Sequence, residues 1–266
     1  MTVSRFINKK TVGEKLAVLT AYDFFTARLL DQSGVDCLLV GDSVGMVLYG
    51  EKGTHPVTME MMLAHTRAVA KGSQYALVVA DMPFMSYQPS LETAIINAGR
   101  FIKESAAEAV KLEGGMEMAG TVRRIVECGI PVMGHIGMTP QSIHRFGGPK
   151  VQGRQDKSRQ YLLESAQALE EAGAFSMVLE LIQADTAEEI TAAVHIPTIG
   201  IGAGKNCDGQ VLVINDILGF YDIYTPKFVR RYANLPPLIE KAARGFVADV
   251  KSGSYPSDDE SFLKKE

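Results

Sequence analysis

ALVVAD, residues 76–81, is the stretch that decides how this chain folds. Five apolar residues run without a break and end on an aspartate. A strand this short and apolar on both faces is covered on both faces, which is the condition of a parallel sheet. The design recurs along the chain. LLVGD (38–42), VKLE (110–113), PVMGH (131–135) and MVLE (177–180) are also apolar runs that finish on a charged or polar side chain.

Strand-like runs fall at 16–21, 36–40, 76–80, 109–112, 131–136, 176–179 and 197–201, with a less regular eighth at 210–214. Amphipathic segments lie between and after them, at 24–32, 59–71, 91–104, 116–128, 158–171, 186–194 and 238–250. Thr58 and Ser90 stand where helix starts need a side-chain acceptor. Gly34, Gly72, Gly129 and Gly173 stand where helices stop. About eight βα repeats in 266 residues favour an α/β fold closed as a (β/α)8 TIM barrel over an open sheet. The expected organisation is one barrel domain over 1–251 and a polar tail over 252–266, with a turn-like aromatic segment at 220–232.

Composition narrows the function. Hydrophobic residues make up 46% and charged residues 22%, the balance of a soluble globular chain with a large core. The 27 Lys+Arg against 31 Asp+Glu leave a net charge of -4 with no basic stripe, which argues against a nucleic-acid partner. The start, MTVSRFINKK, lacks the apolar core of a signal peptide. No apolar run approaches the roughly 20 residues of a membrane helix. Three widely spaced cysteines, Cys37, Cys128 and Cys207, fit a reduced cytoplasmic protein and offer no zinc spacing.

The informative feature is where the acids fall. Asp42, Asp81, Glu113 and Glu180 end apolar runs, His135 closes another, and Lys111 sits inside its own. A charge at the end of a buried strand costs several kcal/mol unless it is paired, solvated or metal-bound. Taken singly, each acid could equally cap a helix or start a solvated loop. Taken together at the C-terminal rim of a barrel, where active sites of this fold are built, four acids repel one another and a cation relieves them. One or two carboxylates completed by substrate oxygens is the pattern of Mg²⁺, and of similar ions such as Mn²⁺. Without a His/Cys cluster, zinc is disfavoured.

Other motifs say less. IGIGAGK (199–205) could cradle a phosphate or make a tight barrel corner. HIGMTPQS and the Gly/Lys/Arg-rich 146–159 read as a polar lid, and GDSVGMVLYG (41–50) as a glycine-bearing ligand loop. His55, His65, His144 and His195 read as structural or surface residues, and Met59, Met61 and Met62 as core or subunit contacts.

The motifs LTAYD, GDSVGMV, VVADMPFMSY, AVKLEGG, PVMGHIGMTPQS, VQGR, IGIGAGKNCDGQVLV and PKFVRRYAN occur in that order over nearly the whole chain. On them the sequence resembles the ketopantoate hydroxymethyltransferase family. The resemblance implies a phosphoenolpyruvate/pyruvate-type barrel on the route to pantothenate and coenzyme A. It implies transfer of a hydroxymethyl group from 5,10-methylenetetrahydrofolate to 3-methyl-2-oxobutanoate, giving 2-dehydropantoate and tetrahydrofolate.

By the same resemblance Asp42 and Asp81 hold Mg²⁺ and, through it, the substrate, with Glu113 close to the metal in its outer shell. Ser43 and Lys111 hold the substrate carboxylate, His135 is a polar wall, and Glu180 is the catalytic base. A homo-oligomer, commonly a decamer, is implied as well. Two departures stand beside these residues: LIQAD after Glu180 where the family often has a Cys-Val-Pro-like segment, and Pro149 where an aromatic is common. The alternatives are a metal-dependent C–C lyase or mutase acting on an α-keto acid, a non-catalytic metabolite-binding barrel, and a sugar-phosphate enzyme.

Overall fold

A computed structural model describes residues 1–220 and 225–262. It divides into two compact units, Met1–Val213 and Ile214–Glu266. The first unit holds eight strands: β1 (Leu16–Thr20), β2 (Cys37–Val40), β3 (Leu77–Asp81), β4 (Ala109–Lys111), β5 (Val132–Gly137), β6 (Ser176–Glu180), β7 (Thr198–Ile201) and β8 (Gly209–Leu212). All neighbours pair in parallel, and β8 pairs back onto β1, so the sheet closes into the expected barrel.

Helices α1 (Val3–Thr11), α2 (Phe24–Gln32), α3 (Val44–Val47), α4 (Met59–Gly72), α5 (Leu91–Ser105) and α6 (Ala119–Glu127) belong to the first half. They are followed by α7 (Ile143–Phe146), α8 (Asp156–Glu171) and α9 (Ala184–Ala193). The second unit carries α10 (Ile214–Ile217) and α11 (Pro236–Ser252), and the boundary expected after residue 251 falls inside it. Of the aromatic segment 220–232, residues 221–224 lie outside the described residues, as does the end of the polar tail, 263–266.

The expected caps form. Thr58 Oγ1 accepts from Met61 N–H at 3.2 Å and Ser90 Oγ from Thr93 N–H at 3.1 Å. One helix was not legible in advance. α1 is short and polar, but it buries Phe6 edge-on against Phe175, with ring centroids 5.8 Å apart. Lys10 Nζ ties it down by donating to the Thr191 and Ile196 carbonyls and to Asp208.

The core explains the apolar runs. Strand side chains alternate faces, so one set fills the barrel and the other meets the helices. The set packed together with Phe6 and Phe175 is Leu16, Val18, Cys37, Leu39, Leu77, Val79, Ala109, Met133, Val178, Ile199 and Val211. Continuing each strand by two residues in the same parity reaches Asp81 after Val79, Lys111 and then Glu113 after Ala109, His135 after Met133, and Glu180 after Val178. The barrel interior is therefore apolar in its lower tiers and ionisable in its uppermost tier.

Candidate active site

That uppermost tier brings the sequence-expected residues together. Asp81, Lys111, Glu113 and His135 are each at least 94% buried, and so is Asp42. Lys111 Nζ lies 2.6 Å from Asp81 Oδ1, and Asp81 Oδ2 accepts the backbone N–H of Asp42 at 3.2 Å. On its other side Lys111 Nζ sits 3.1 Å from His135 Nδ1. An ammonium only donates, so Nδ1 accepts and the imidazole proton belongs on Nε2. Nε2 lies 3.1 Å from Glu180 Oε2, close but off the line of a hydrogen bond.

Ser43 joins the group through its neighbour Tyr22, whose hydroxyl is 2.8 Å from Ser43 Oγ. Gly41 precedes this pair for a steric reason. A Cβ there would stand 2.7 Å from Ser43 Oγ. The glycine leaves the space that the serine side chain occupies.

Burial sets the charges. It pushes the Asp42 and Glu113 carboxyls above their ordinary values, Glu113 far above. It takes Asp81 to about 6, with Lys111 opposing the rise. It takes Glu180 to about 7, again against the pull of Lys111. Burial would lower the Lys111 ammonium, but the charges of Asp81, Glu113 and Asp42 more than offset it, so the lysine stays charged. Burial and then the Lys111 charge hold His135 well below its ordinary value, which keeps the ring neutral. A carboxyl poised near neutrality beside a neutral imidazole is suited to taking a proton at physiological pH.

Three functional residues escaped the sequence reading. Gln141 is 5% exposed and binds the cluster together. Its Nε2 donates to Asp42 Oδ2 at 2.9 Å and to the Met82 carbonyl, and its backbone N–H donates to Glu113 Oε2 at 3.0 Å. Its Oε1 accepts from Tyr87 at 2.8 Å. Tyr87 and Tyr22 are both buried. The segment that carries Gln141, HIGMTPQS, reads as lid from composition. In the structure it folds as a turn at Pro140–Ser142 followed by α7, and Gln141 faces inward. Pro140 at the first position of that turn was the available signal.

The segment after Glu180 starts on a strained residue. Leu181 takes a positive φ of 46°, a conformation worth about 1–3 kcal/mol of strain for a branched residue. Its carbonyl accepts Gln152 N–H at 2.7 Å, and its own N–H goes to the Ile201 carbonyl. The glycines of IGIGAGK serve close packing: a Cβ on Gly200 would stand 2.9 Å from Cys207 Sγ, and one on Gly204 2.7 Å from the Ala184 methyl. His55 stacks on His144 with centroids 5.0 Å apart, and its Nε2 lies 2.9 Å from the Gln141 carbonyl oxygen.

The donor chemistry fits a divalent cation. Four carboxyl groups face one ammonium and a neutral ring; Asp81 ends β3, and Asp42 follows the adjacent β2 by two residues. Among the described residues no group of three or more His, Cys, Asp or Glu side chains is disposed to hold a metal ion. Two carboxylates completed by substrate oxygens and water is the arrangement Mg²⁺ usually takes. Also among the described residues, no helix is long and apolar enough to cross a membrane.

A family model described as ketopantoate hydroxymethyltransferase matches residues 1–258. The chain is 56% identical over 263 residues to the 3-methyl-2-oxobutanoate hydroxymethyltransferase of Syntrophus aciditrophicus (strain SB), covering 99% of this chain and 97% of that protein. It is 55% identical over 261 residues to the protein of the same name from Dehalococcoides mccartyi, covering 98% and 93%. Among solved structures it resembles a phosphonopyruvate hydrolase in complex with oxalate and Mg²⁺, with a TM-score of 0.62, 14% identity and coverage of 98% and 93%. It also resembles a 2,3-dimethylmalate lyase of the PEP mutase/isocitrate lyase superfamily, with a TM-score of 0.60, 14% identity and coverage of 98% and 91%. At such identities the likeness is one of fold.

Proposed function

The chain belongs to the ketopantoate hydroxymethyltransferase family and is a hydroxymethyltransferase of pantothenate biosynthesis, and from that premise we propose how its inward-facing groups run the reaction. The acceptor is 3-methyl-2-oxobutanoate, the donor is 5,10-methylenetetrahydrofolate, and the products are 2-dehydropantoate and tetrahydrofolate. Glu180 is the general base for the C3 proton. The observation that carries this assignment is its placement: a carboxyl at the end of β6, held near neutrality by burial, 3.1 Å from a neutral imidazole.

Asp42 and Asp81 would hold Mg²⁺, with Glu113 outside them, and the ion when bound would polarise the keto group as a Lewis acid. The remaining work belongs to the chain. Ser43 and Lys111 orient the substrate carboxylate, and the Lys111 ammonium offsets its charge. Glu180 takes the proton from C3, leaving the electron pair on the enolate. The two C–N bonds that hold the donor's methylene carbon break as the enolate carbon bonds to it and water supplies the hydroxyl oxygen. The C3 proton and one water proton end on the two freed nitrogens, and tetrahydrofolate leaves. His135, with its proton on Nε2, stands 3.1 Å from Glu180 Oε2 and walls that side of the carboxylate. The reaction runs in the cytoplasm, where a chain with three free cysteines is stable.

Proton removal should follow the ionisation of Glu180. In D₂O with Mg²⁺ and no folate, exchange at C3 is expected to fall about tenfold per pH unit below about 7 and to level off above it. A flat profile between pH 5 and 8 would assign the base elsewhere. Product that appears only when methylenetetrahydrofolate is added separates this transferase from a lyase on the same scaffold.

Gln141 positions Asp42 rather than touching substrate. Gln141→Leu is expected to raise the Mg²⁺ concentration needed for half-maximal exchange by about 10–100-fold, the usual effect of losing a partner behind a metal ligand. An unchanged Mg²⁺ titration would remove that role.

A further inference from the structure

Beside the acid cluster lies a cavity of about 90 Å³ that the mechanism above does not use. Glu117, Gly137, Ser142, Arg145, Phe146 and Tyr161 are among its lining residues. We propose that this cavity seats the bicyclic pterin ring of the one-carbon donor, with Glu117 pairing to the ring's amino and N–H edge. The inference rests on the folate-dependent reading of the preceding section and gives that donor its place.

Position is the first argument. The cavity is walled by the end of β5, the strand that pairs with β6 and so with the proposed base. Gly137 stands opposite Glu180 in the β5–β6 register. The two backbones touch so closely that a Cβ on Gly137 would lie 2.2 Å from the Glu180 carbonyl oxygen. On the β4 side, Gly114 follows Glu113 directly and donates its N–H to the His135 carbonyl at 3.0 Å. His135 faces the barrel interior and Ile136, its neighbour on β5, faces the cavity. A ring seated there lies across the end of β5 from the pocket in which Glu180 would deprotonate the substrate.

Chemistry is the second. Glu117 Oε1 accepts the Gly115 N–H at 3.1 Å and Oε2 accepts the Tyr161 hydroxyl at 2.7 Å. Burial alone would raise its pKa, but the Tyr161 hydroxyl and backbone N–H groups outweigh it and keep the carboxyl ionised. Both oxygens are fixed in direction and each retains a lone pair. That is what a flat ligand with two adjacent N–H donors requires for a bidentate contact. The 2-amino-4-oxopyrimidine edge of a pterin supplies such a pair. Phe146 and Tyr161 offer ring faces for the bicycle, and glycines at 114, 115 and 137 leave the floor free of side chains. The volume holds a fused ring and not a whole folate, so the tail would leave toward the exposed Arg145, whose cation suits its carboxylates.

The test uses the full-length enzyme with Mg²⁺. Glu117→Gln and the cavity-filling Ser142→Phe are assayed for the folate KM and, in the same samples, for the keto-acid KM. Tetrahydrofolate binding is read by calorimetry. The expected result is a rise of about 10–100-fold in the folate KM, the effect of losing hydrogen bonds to a charged group, and matching loss of calorimetric affinity. The keto-acid KM should stay within about twofold. Arg145→Ala, at an exposed side chain, carries the test should a lining variant fail to fold, with a rise of at least about threefold in the folate KM.

Active variants with an unchanged folate KM would overturn the cavity assignment and leave the transferase reading standing. Wild-type enzyme that exchanges the C3 proton and yet makes no product with the folate would overturn both.

Discussion

Replacing Glu180 with glutamine is expected to slow exchange of the C3 proton, and turnover with it, by about 10²–10⁴-fold, the contribution a positioned general base makes. Glutamine keeps the size and the hydrogen-bonding reach toward His135 Nε2 but cannot take a proton. The effect should therefore fall on kcat, with the keto-acid KM little changed. NMR of the substrate in D₂O with Mg²⁺ measures the step without folate. Exchange at the wild-type rate would remove Glu180 from the mechanism.

The same variant should be more stable than the parent in the metal-free state. The carboxyl of Glu180 is raised to about 7 by burial. A raised acid favours the folded state fully below its unfolded value near 4.5, and that contribution is lost as pH rises through about 7. Glutamine does not ionise, so its advantage should be absent near pH 4.5 and reach up to about 3 kcal/mol at pH 8. Denaturation in urea at the two pH values gives the difference.

Lys111→Met is expected to produce the second large effect. The 2.6 Å pair with Asp81 is almost completely buried on both sides. Removing one partner leaves a carboxylate in the barrel with nothing to offset it, which costs about 3–5 kcal/mol. The loss should depend on pH with a definite sign. Without Lys111 the Asp81 carboxyl rises above its present value of about 6, so the deficit is greatest at pH 8 and shrinks as acid neutralises the group. A deficit under about 1 kcal/mol at pH 8 would mean that Asp81 is neutral in the parent. Catalysis should fail too. With no ammonium donating to it, His135 Nδ1 is free to carry the ring proton, and Nε2 would then present a lone pair to Glu180.

The barrel was legible because its strands announce themselves twice, as unbroken apolar runs and as runs that stop on a charge. ALVVAD holds both signals, and Leu77, Val79 and Asp81 are three successive residues of one inward-facing set. The charged set of the site was legible for the same reason. What stayed hidden has a physical cause in each case. α1 is too short and polar for its periodicity to stand out, and only contact with Phe175 gives Phe6 a purpose. Gln141 is polar, lies in a segment rich in turn formers, and makes its side-chain hydrogen bonds to groups from other parts of the chain. No local pattern marks such a residue. The β8 boundary was blurred because Gly209–Leu212 contains only two apolar side chains and borrows its definition from β1 and β7.

The tiered interior has a consequence for inheritance. Where apolar side chains fill the lower barrel and ionisable ones crown it, the two sets answer to different selection. Below, any exchange that conserves volume is tolerated, so a lineage can drift there without losing the enzyme. At the crown, an exchange such as aspartate for asparagine alters charge, and where the residue is half of a buried ion pair, as in Lys111–Asp81, the fold accepts it readily only when the partner's charge changes in step. Drift there proceeds by matched pairs. A barrel divided in this way can retire one chemistry and acquire another through a handful of paired substitutions in its topmost ring.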